Sequence, residues 1–217
     1  NVADATTVHT TFDLTGAAIG LYDLRATAPG GAMRTLEDAL EVQAGAGPLL
    51  VAQLQMPERV RLGRAFEGQV VYRNAGDADL VSPILILSTR GRAGLRLDAS
   101  EAYTTADLHL LAAAPEGPAG VLRPGQSGII PFSMLADTEG SVHVRLYAKE
   151  AGAADLADWA AIEPMVRPAG VEPAAWDAVW AEFVARAGPT WGGYVRLMAD
   201  AATLVSERGG RFTSARD

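Results

Sequence analysis

The fold is decided by Phe66-Glu-Gly-Gln-Val-Val-Tyr-Arg-Asn-Ala-Gly-Asp-Ala-Asp-Leu80, Ile84-Leu-Ile-Leu87 and Leu122-Arg-Pro-Gly-Gln-Ser-Gly-Ile-Ile-Pro-Phe132. Short apolar or alternating runs separated by Gly, Asn, Asp and Pro turns are typical of proteins built from two packed sheets. The run from Ile84 to Leu87 is apolar on both faces, which predicts a central strand. We therefore predict a mainly β fold with one β-sandwich. The turns contain no recognisable catalytic set.

The sandwich is predicted to occupy residues 49–150. Val142 and Val144 alternate with polar neighbours, as half-buried strands do. Asn74-Ala-Gly-Asp77 and Pro124-Gly-Gln-Ser127 have the residue types of tight turns. The predicted strands lie near 49–55, 58–62, 66–73, 82–89, 93–98, 107–112, 128–135 and 141–149.

The N-terminal zone, residues 1–42, is also predicted to be β. An alternating pattern at Val8, Thr10, Phe12 and Leu14 predicts one strand. Leu21–Thr27 is predicted as a second strand, and a last strand ends near Leu40-Glu-Val42. Residues 43–48, Gln-Ala-Gly-Ala-Gly-Pro, form a short linker of small residues.

The C-terminal zone, residues 151–217, changes to a helical period. One helix is predicted to begin near Pro173, because proline suits the first helical turn, and to stop at Gly188-Pro189. A second helix follows from Thr190 and ends at Gly209-Gly210. All four tryptophans lie between Trp159 and Trp191, so we expect a pair of helices with an aromatic contact face.

Composition excludes several classes of function. The 217 residues carry a formal net charge of −8, which argues against a nucleic-acid partner. The chain has no cysteine, so disulfides, thiolate nucleophiles and cysteine-ligated zinc are excluded. No apolar run has the length of a membrane-spanning helix, so no membrane insertion is expected. No cofactor is expected either.

Two zones resemble known families. Gly20-Leu-Tyr-Asp-Leu-Arg-Ala-Thr-Ala-Pro-Gly-Gly31, closing with Ala39-Leu-Glu-Val42, is similar to the C-terminal half of an IPT/TIG-type immunoglobulin-like domain. Leu24 and Ala28 depart from the usual pattern of that family. Residues 49–150 resemble the CARDB-like group of bacterial immunoglobulin-like modules through their Asn-x-Gly-Asp and Leu-x-Pro-Gly-Gln turns. The resemblances imply immunoglobulin-like sandwich modules, of which residues 1–42 are an incomplete one.

A metal or catalytic role is weighed for a few polar residues. His9, His109 and His143 lie in alternating strand patterns, opposite the apolar positions, and are predicted to be ordinary surface histidines. Asp77 and Asp79 have oxygen ligands suited to calcium, but their spacing lacks the features of an EF-hand, so a plain hairpin turn is favoured. Ser127 lies in an incomplete Gly-x-Ser-x-Gly pattern within a β zone and is interpreted as a turn residue. No catalytic, cofactor-binding or metal-binding residue is predicted.

The aromatic helical face is the candidate partner-contact surface. Aromatic residues are enriched at binding hot spots, although so apolar a face is more consistent with packing inside the chain or onto an adjacent module. Acidic residues along the helices argue against a membrane surface. The candidate contact residues are Trp176, Trp180, Phe183, Trp191 and Tyr194.

The expected function is that of a non-enzymatic structural, spacer or adhesion module in a large secreted or cell-surface bacterial protein. Its expected partners are neighbouring domains of a longer chain or a strand-donating protein. Two alternatives remain open. In the first alternative, the chain would be an accessory docking region of a secreted multidomain enzyme; in the second, it would be a half-domain that a separate chain completes by donating a strand.

Overall fold

The structure is a computed structural model and describes residues 12, 14, 16–28, 30–114, 117–168, 170–210, 212 and 214. Within these residues the protein is mostly β, with several antiparallel sheets and three helices, as the sequence predicts. The chain divides into two compact units, residues 1–45 and 46–217. The division falls inside the predicted linker.

In the described part of the first unit, β1 (Gly20–Thr27) and β2 (Met33–Val42) form an antiparallel hairpin. Tyr22 pairs with Leu40 and Leu24 pairs with Leu36, so an irregularity lies opposite Asp23. There Asp38 has a φ of 50°, and its N–H donates to the Asp23 carboxylate at 2.9 Å. The prediction that the last strand of this zone ends near Val42 is confirmed. The strand predicted over residues 8–14 falls largely outside the described residues.

The second unit begins with strands that form two larger sheets. One sheet has four strands and the other has three, and all their neighbours are antiparallel. The strands are β3 (Leu50–Gln55), β4 (Ala65–Asn74), β5 (Leu80–Val81), β6 (Ile84–Ser88), β7 (Gly94–Arg96), β8 (Leu108–Leu111), β9 (Val121–Leu122), β10 (Ser127–Leu135) and β11 (Arg145–Lys149). The four-stranded order is β3-β4-β10-β7, the three-stranded order is β11-β6-β8, and β5 pairs with β9.

Most predicted strands of this unit are present, with two exceptions. No strand covers residues 58–62; there Gly63 takes a φ of 69° and its N–H donates to the Ala136 carbonyl, so the chain turns. The predicted strand 141–149 is paired only from Arg145, because its partner β6 ends at Ser88, opposite Arg145. The two-residue strands β5 and β9 were too short for the sequence pattern to indicate.

Two glycine–aromatic pairs hold β4 against β10. Gly68 lies opposite Phe132, and Gly128 lies opposite Tyr72. A Cβ at Gly68 would approach a Phe132 ring carbon to within 2.9 Å, and the Phe132 side chain is fully buried. Each ring therefore covers the glycine of the neighbouring strand, which explains why Phe66–Leu80 and Leu122–Phe132 contain these glycines.

Substituting Gly68 with alanine should lower the free energy of unfolding by about 1–3 kcal/mol, because the buried Phe132 ring must leave its position. Chemical denaturation measures the change. Gly152→Ala is the matched control, since a Cβ at Gly152 meets nothing within 4 Å. Equal stability of the two variants would show that the Phe132 ring does not rest on Gly68.

Three helices follow the strands: α1 (Trp159–Val166), α2 (Pro173–Ala187) and α3 (Trp191–Glu207). The two predicted helices are confirmed as α2 and α3. Gly188 ends α2 with a φ of 71°, and the Thr190 side chain accepts a hydrogen bond from the Gly193 N–H at the start of α3. Helix α1 was not predicted, because it is short and contains Pro164, a residue that normally breaks a helix.

Side chains of the second unit form two hydrophobic cores on opposite faces of the three-stranded sheet. Leu85 and Leu87 join the core shared with the four-stranded sheet. Ile84 and Ile86, on the other face of β6, join a core formed with the helices. Both faces of the strand are thus covered, as its apolar sequence predicts. The sheets and the helices, for which the sequence predicts separate zones at 49–150 and 151–217, lie within one compact unit.

Candidate functional site

The candidate partner-contact residues come together in the core between the helices and the three-stranded sheet. Trp176 and Trp180 stack with ring centroids 5.7 Å apart, and Trp180 stacks on Phe183 at 5.3 Å. Their spacing along α2 places them on one face of that helix, as predicted. Tyr194 of α3 is fully buried and Trp176 nearly so, whereas Trp180, Phe183 and Trp191 are half-buried.

Trp159 lies at the centre of this cluster, although the sequence did not single it out. Its ring packs edge-on against Trp180, Phe183 and Tyr194, with centroids 5.4–6.0 Å apart. Its indole N–H donates to the Gly188 carbonyl at the end of α2, at 3.1 Å. The signal that could have identified Trp159 is Asp158, which caps α1 by accepting a hydrogen bond from the Ala161 N–H.

His109 belongs to the same cluster, and the prediction that it is a surface histidine is wrong. Only 6% of the residue is exposed. Its Nδ1 lies 3.2 Å from the Tyr194 hydroxyl, and its ring contacts Trp191. The face of β8 opposite the first core is covered by α3 rather than by water, so an alternating strand pattern misassigns this residue. Burial raises the pKa of the Tyr194 hydroxyl well above its usual range.

A cavity of about 240 Å³ remains beside the aromatic cluster. Its lining is almost entirely apolar and includes Trp176, Trp180 and Phe212. The Trp176 indole N–H donates to the Glu163 carboxylate at 2.9 Å. The cluster therefore serves mainly as a core that attaches the helices to the sheet.

The two turn motifs of the sequence meet at Asn74, which is fully buried. Its side-chain oxygen accepts hydrogen bonds from the N–H groups of Leu49 and Gly76, at 3.2 and 3.0 Å. Its amide nitrogen donates to the carbonyls of Ala78 and Leu122, at 2.8 and 2.9 Å. Both donors and both acceptor positions of the Asn74 side chain are therefore used. The side chain joins the turn after β4 to the turn at Leu122 and to the start of β3.

Asp77 uses its carboxylate to hold the backbone at the beginning of the second unit. One oxygen accepts from the Ala46 N–H at 2.7 Å and the other accepts from the Gly47 N–H at 2.8 Å. These bonds, that from Ala46 most of all, lower the pKa of the Asp77 carboxyl. Asp79 is exposed. Both Asp77 oxygens are engaged by amides, an arrangement that accounts for this residue without calcium.

Replacing Asp77 with asparagine should reduce the loss of stability that the protein undergoes as the pH is lowered. The folded-state pKa is lowered, so the carboxylate stabilises the fold above the ordinary aspartate pKa of about 3.9. That contribution is lost as the pH falls through the lower folded-state value. Thermal unfolding of wild type and Asp77→Asn between pH 7 and pH 2 should therefore converge at low pH.

Asp79→Asn is the matched control, and it should behave as wild type. Calcium and a chelator should leave the midpoint of thermal unfolding of wild type unchanged. A calcium-dependent rise that Asp77→Asn abolishes would replace the turn interpretation with a metal site.

The remaining candidates lie apart from this cluster and from Asn74. His143 is exposed and precedes β11 rather than lying in it, while His9 lies outside the described residues. Ser127 begins β10 opposite Arg73, in agreement with its interpretation as a residue at the turn. Among the described residues, no group of three or more His, Asp or Glu side chains is arranged to hold a metal ion.

Searches against protein-family models and curated proteins find no match to this chain. In the described part of the chain, no helix has the length and apolar character needed to cross a membrane.

Proposed function

We propose that the chain is a non-catalytic structural part, a spacer or adhesion module, of a large secreted or cell-surface bacterial protein. The main support for this proposal is that the polar side chains of the turns form hydrogen bonds within the protein. The turn residue Asn74 and the calcium candidate Asp77 bind backbone groups of neighbouring turns. They stabilise the end of the second unit where the linker enters it, which is a role expected of a module in a tandem chain.

An immunoglobulin-like sandwich for residues 49–150 is part of this proposal. Immunoglobulin-like domains place strands A, B, E and D in one sheet and C, F and G in the other. The order β3-β4-β10-β7 agrees with A-B-E-D, and the neighbours β11 and β6 agree with F and C. Strand β8 departs from the pattern, because it follows β7 in the chain yet pairs with β6. The CARDB-like assignment rests on the two turn motifs that Asn74 joins.

Completion of the first unit by strand donation is a second candidate function, and the exposure of the β1–β2 hairpin favours it. Leu36 is 65% exposed and Leu21 is 59% exposed. Two-stranded hairpins are marginally stable alone and need further strands or a packed layer. An IPT/TIG-like half-domain would obtain that layer from a neighbouring module or from a partner chain.

Mass spectrometry of the native protein tests the proposal. Intact cells are treated briefly with protease, and the parent polypeptide is mapped from its released peptides. The expected result is release of peptides from 1–217 as part of a longer chain of sandwich modules. Detection only after cell lysis would contradict the surface location. A catalytic domain in the same polypeptide would favour the accessory docking role instead.

A further inference from the structure

An open seam runs between the edges of the two sheets in the second unit. Strand β3 ends the four-stranded sheet and β11 ends the three-stranded sheet. Side chains from both edges point toward the shared core but are only half-buried; they are Leu50, Ala52, Leu54, Val142, Val144 and Leu146. A cavity of about 290 Å³ lies between β3 and β11. Another, of about 640 Å³, continues past the residues before β11.

The seam is bordered by a segment that has the pattern of a strand but no partner strand in the described structure. Val142 and Val144 are half-buried, whereas Ser141 and His143 are exposed. This alternation continues into β11, yet residues 141–144 belong to no sheet. Their neighbour would be a continuation of β6, but the chain turns away there through Arg90 and Gly91, whose φ angles are 53° and 74°.

Strand β11 itself presents a free edge. Its backbone pairs with β6 on one side, and within the described residues no strand lies on its other side. In an antiparallel edge strand, about half of the backbone N–H and C=O groups point away from the partner. Tyr147 in the middle of β11 is 42% exposed.

We propose that this seam binds an extended peptide strand, which pairs with β11 and the segment before it and places alternate apolar side chains between the two sheets. Recognition by strand addition combines backbone hydrogen bonds with pockets for every second side chain. The half-buried side chains of the two edges supply those pockets. The proposal does not depend on the surface-module function or on the immunoglobulin-like assignment.

Positive charge is concentrated at the middle of this edge, at Arg145 and Arg90 beside Tyr147, whereas the acidic Glu139 and Glu150 line the cavities at its two ends. Arg145 is exposed, its guanidinium donates to the Tyr147 hydroxyl at 3.3 Å, and Arg145 and Arg90 together lower the pKa of that hydroxyl. Lys149 is already paired with Asp155. Opposite charges on directly facing residues stabilise strand pairing, and like charges oppose it. The occupant is therefore a strand with apolar residues on one face and, on the other face, an acidic residue opposite Arg145.

A second copy of the chain is a less favourable occupant of the same edge. Antiparallel pairing of two β11 strands about Tyr147 would place Arg145 opposite Lys149 of the other copy. Because Lys149 is paired with Asp155, Arg145 would find no opposite charge there, whereas an acidic residue of another strand supplies one. Charged edge residues are also a common protection against self-association of sheets.

Hydrogen exchange of the full chain with a synthetic peptide tests the proposal. The probe is a blocked peptide of alternating valine and glutamate, as long as the 141–149 segment. At a peptide concentration ten times its Kd, exchange of the outward amides of 141–149 should slow by roughly tenfold. Amides of β7, at the far edge of the other sheet, should not change.

Three comparisons distinguish strand addition from nonspecific binding of the peptide. A valine–lysine peptide should bind roughly two- to fivefold more weakly per facing charge. A peptide N-methylated on its pairing edge should give no protection. Arg145→Glu should reverse the charge preference, whereas Arg73→Glu, an exposed arginine on β4, should keep it.

Other outcomes would overturn the proposal. One is that millimolar peptide does not slow hydrogen exchange in residues 141–149. Another is that the two charged peptides bind equally well to wild type. A third is that the outward amides already exchange slowly in the free chain. Protection that rises with protein concentration alone would identify a second copy as the occupant. Protection confined to residues 20–42 would instead support strand donation to the first unit.

Discussion

Replacing Asn74 with alanine is expected to lower the free energy of unfolding of the second unit by about 3 kcal/mol or more. The change leaves the N–H groups of Leu49 and Gly76 and the carbonyls of Ala78 and Leu122 without their partner. The bond to the Leu122 carbonyl is buried and the other three are partly buried; a buried group left unsatisfied costs roughly 1–3 kcal/mol, and the partly buried groups add less each. In a unit of this size the midpoint of thermal unfolding should fall by about 10 °C.

Two further variants make this test specific. Asn74→Asp keeps the acceptor oxygen but removes the donors to Ala78 and Leu122, so its stability should also fall. Gln53→Ala removes an exposed amide from β3 and should stay within about 0.5 kcal/mol of wild type. If Asn74→Ala were as stable as Gln53→Ala, the turn motifs would not depend on this side chain, and the proposed structural role would lose its main support.

Replacing Tyr194 with alanine is expected to cost about 3–5 kcal/mol, the usual range for a large aromatic residue removed from a core. The Tyr194 ring is fully buried and contacts His109, Trp159, Phe183 and Trp191. Its loss leaves a cavity where α3 meets the three-stranded sheet. Chemical denaturation followed by tryptophan fluorescence measures the change.

Tyr194→Phe removes only the hydroxyl near His109 and should cost about 1 kcal/mol. Val179→Ala is the surface control, because Val179 of α2 is 61% exposed. Stability of Tyr194→Ala within 1 kcal/mol of wild type would mean that the aromatic cluster is not a core. It would then be a candidate partner surface, the alternative that the sequence leaves open.

Local patterns predicted much of this fold because the residues that form them act over short distances. Gly188 and Thr190 end one helix and begin the next through their own backbone and side-chain geometry. Ile84–Leu87 is apolar on both faces because the sheet lies between two cores. The sequence patterns mispredict the structure where contacts with a distant part of the chain determine it. Residues 58–62 have a strand-like sequence but no neighbour with which to pair.

At the candidate site, contacts between distant parts of the chain matter even more, and local sequence patterns predict less. The helical period placed Trp176, Trp180 and Phe183 on one face of α2, but it gave no information about what that face contacts. His109 was misassigned because the helices that cover it lie far along the chain. Asn74 was identified as a turn residue, whereas its bonds to Leu49 and Leu122 join segments that no local pattern relates.

The sheets and helices of residues 46–217 lie in one compact unit, with the aromatic cluster as its second core, and we expect this unit to unfold cooperatively. Native-state hydrogen exchange of the full chain measures whether it does. The slowest amides of α3 and β6 should open with the same free energy, equal to that of global unfolding of the second unit. Opening of α3 at a much lower free energy, while β6 stays protected, would show that the helices and the sheets are separate folding units.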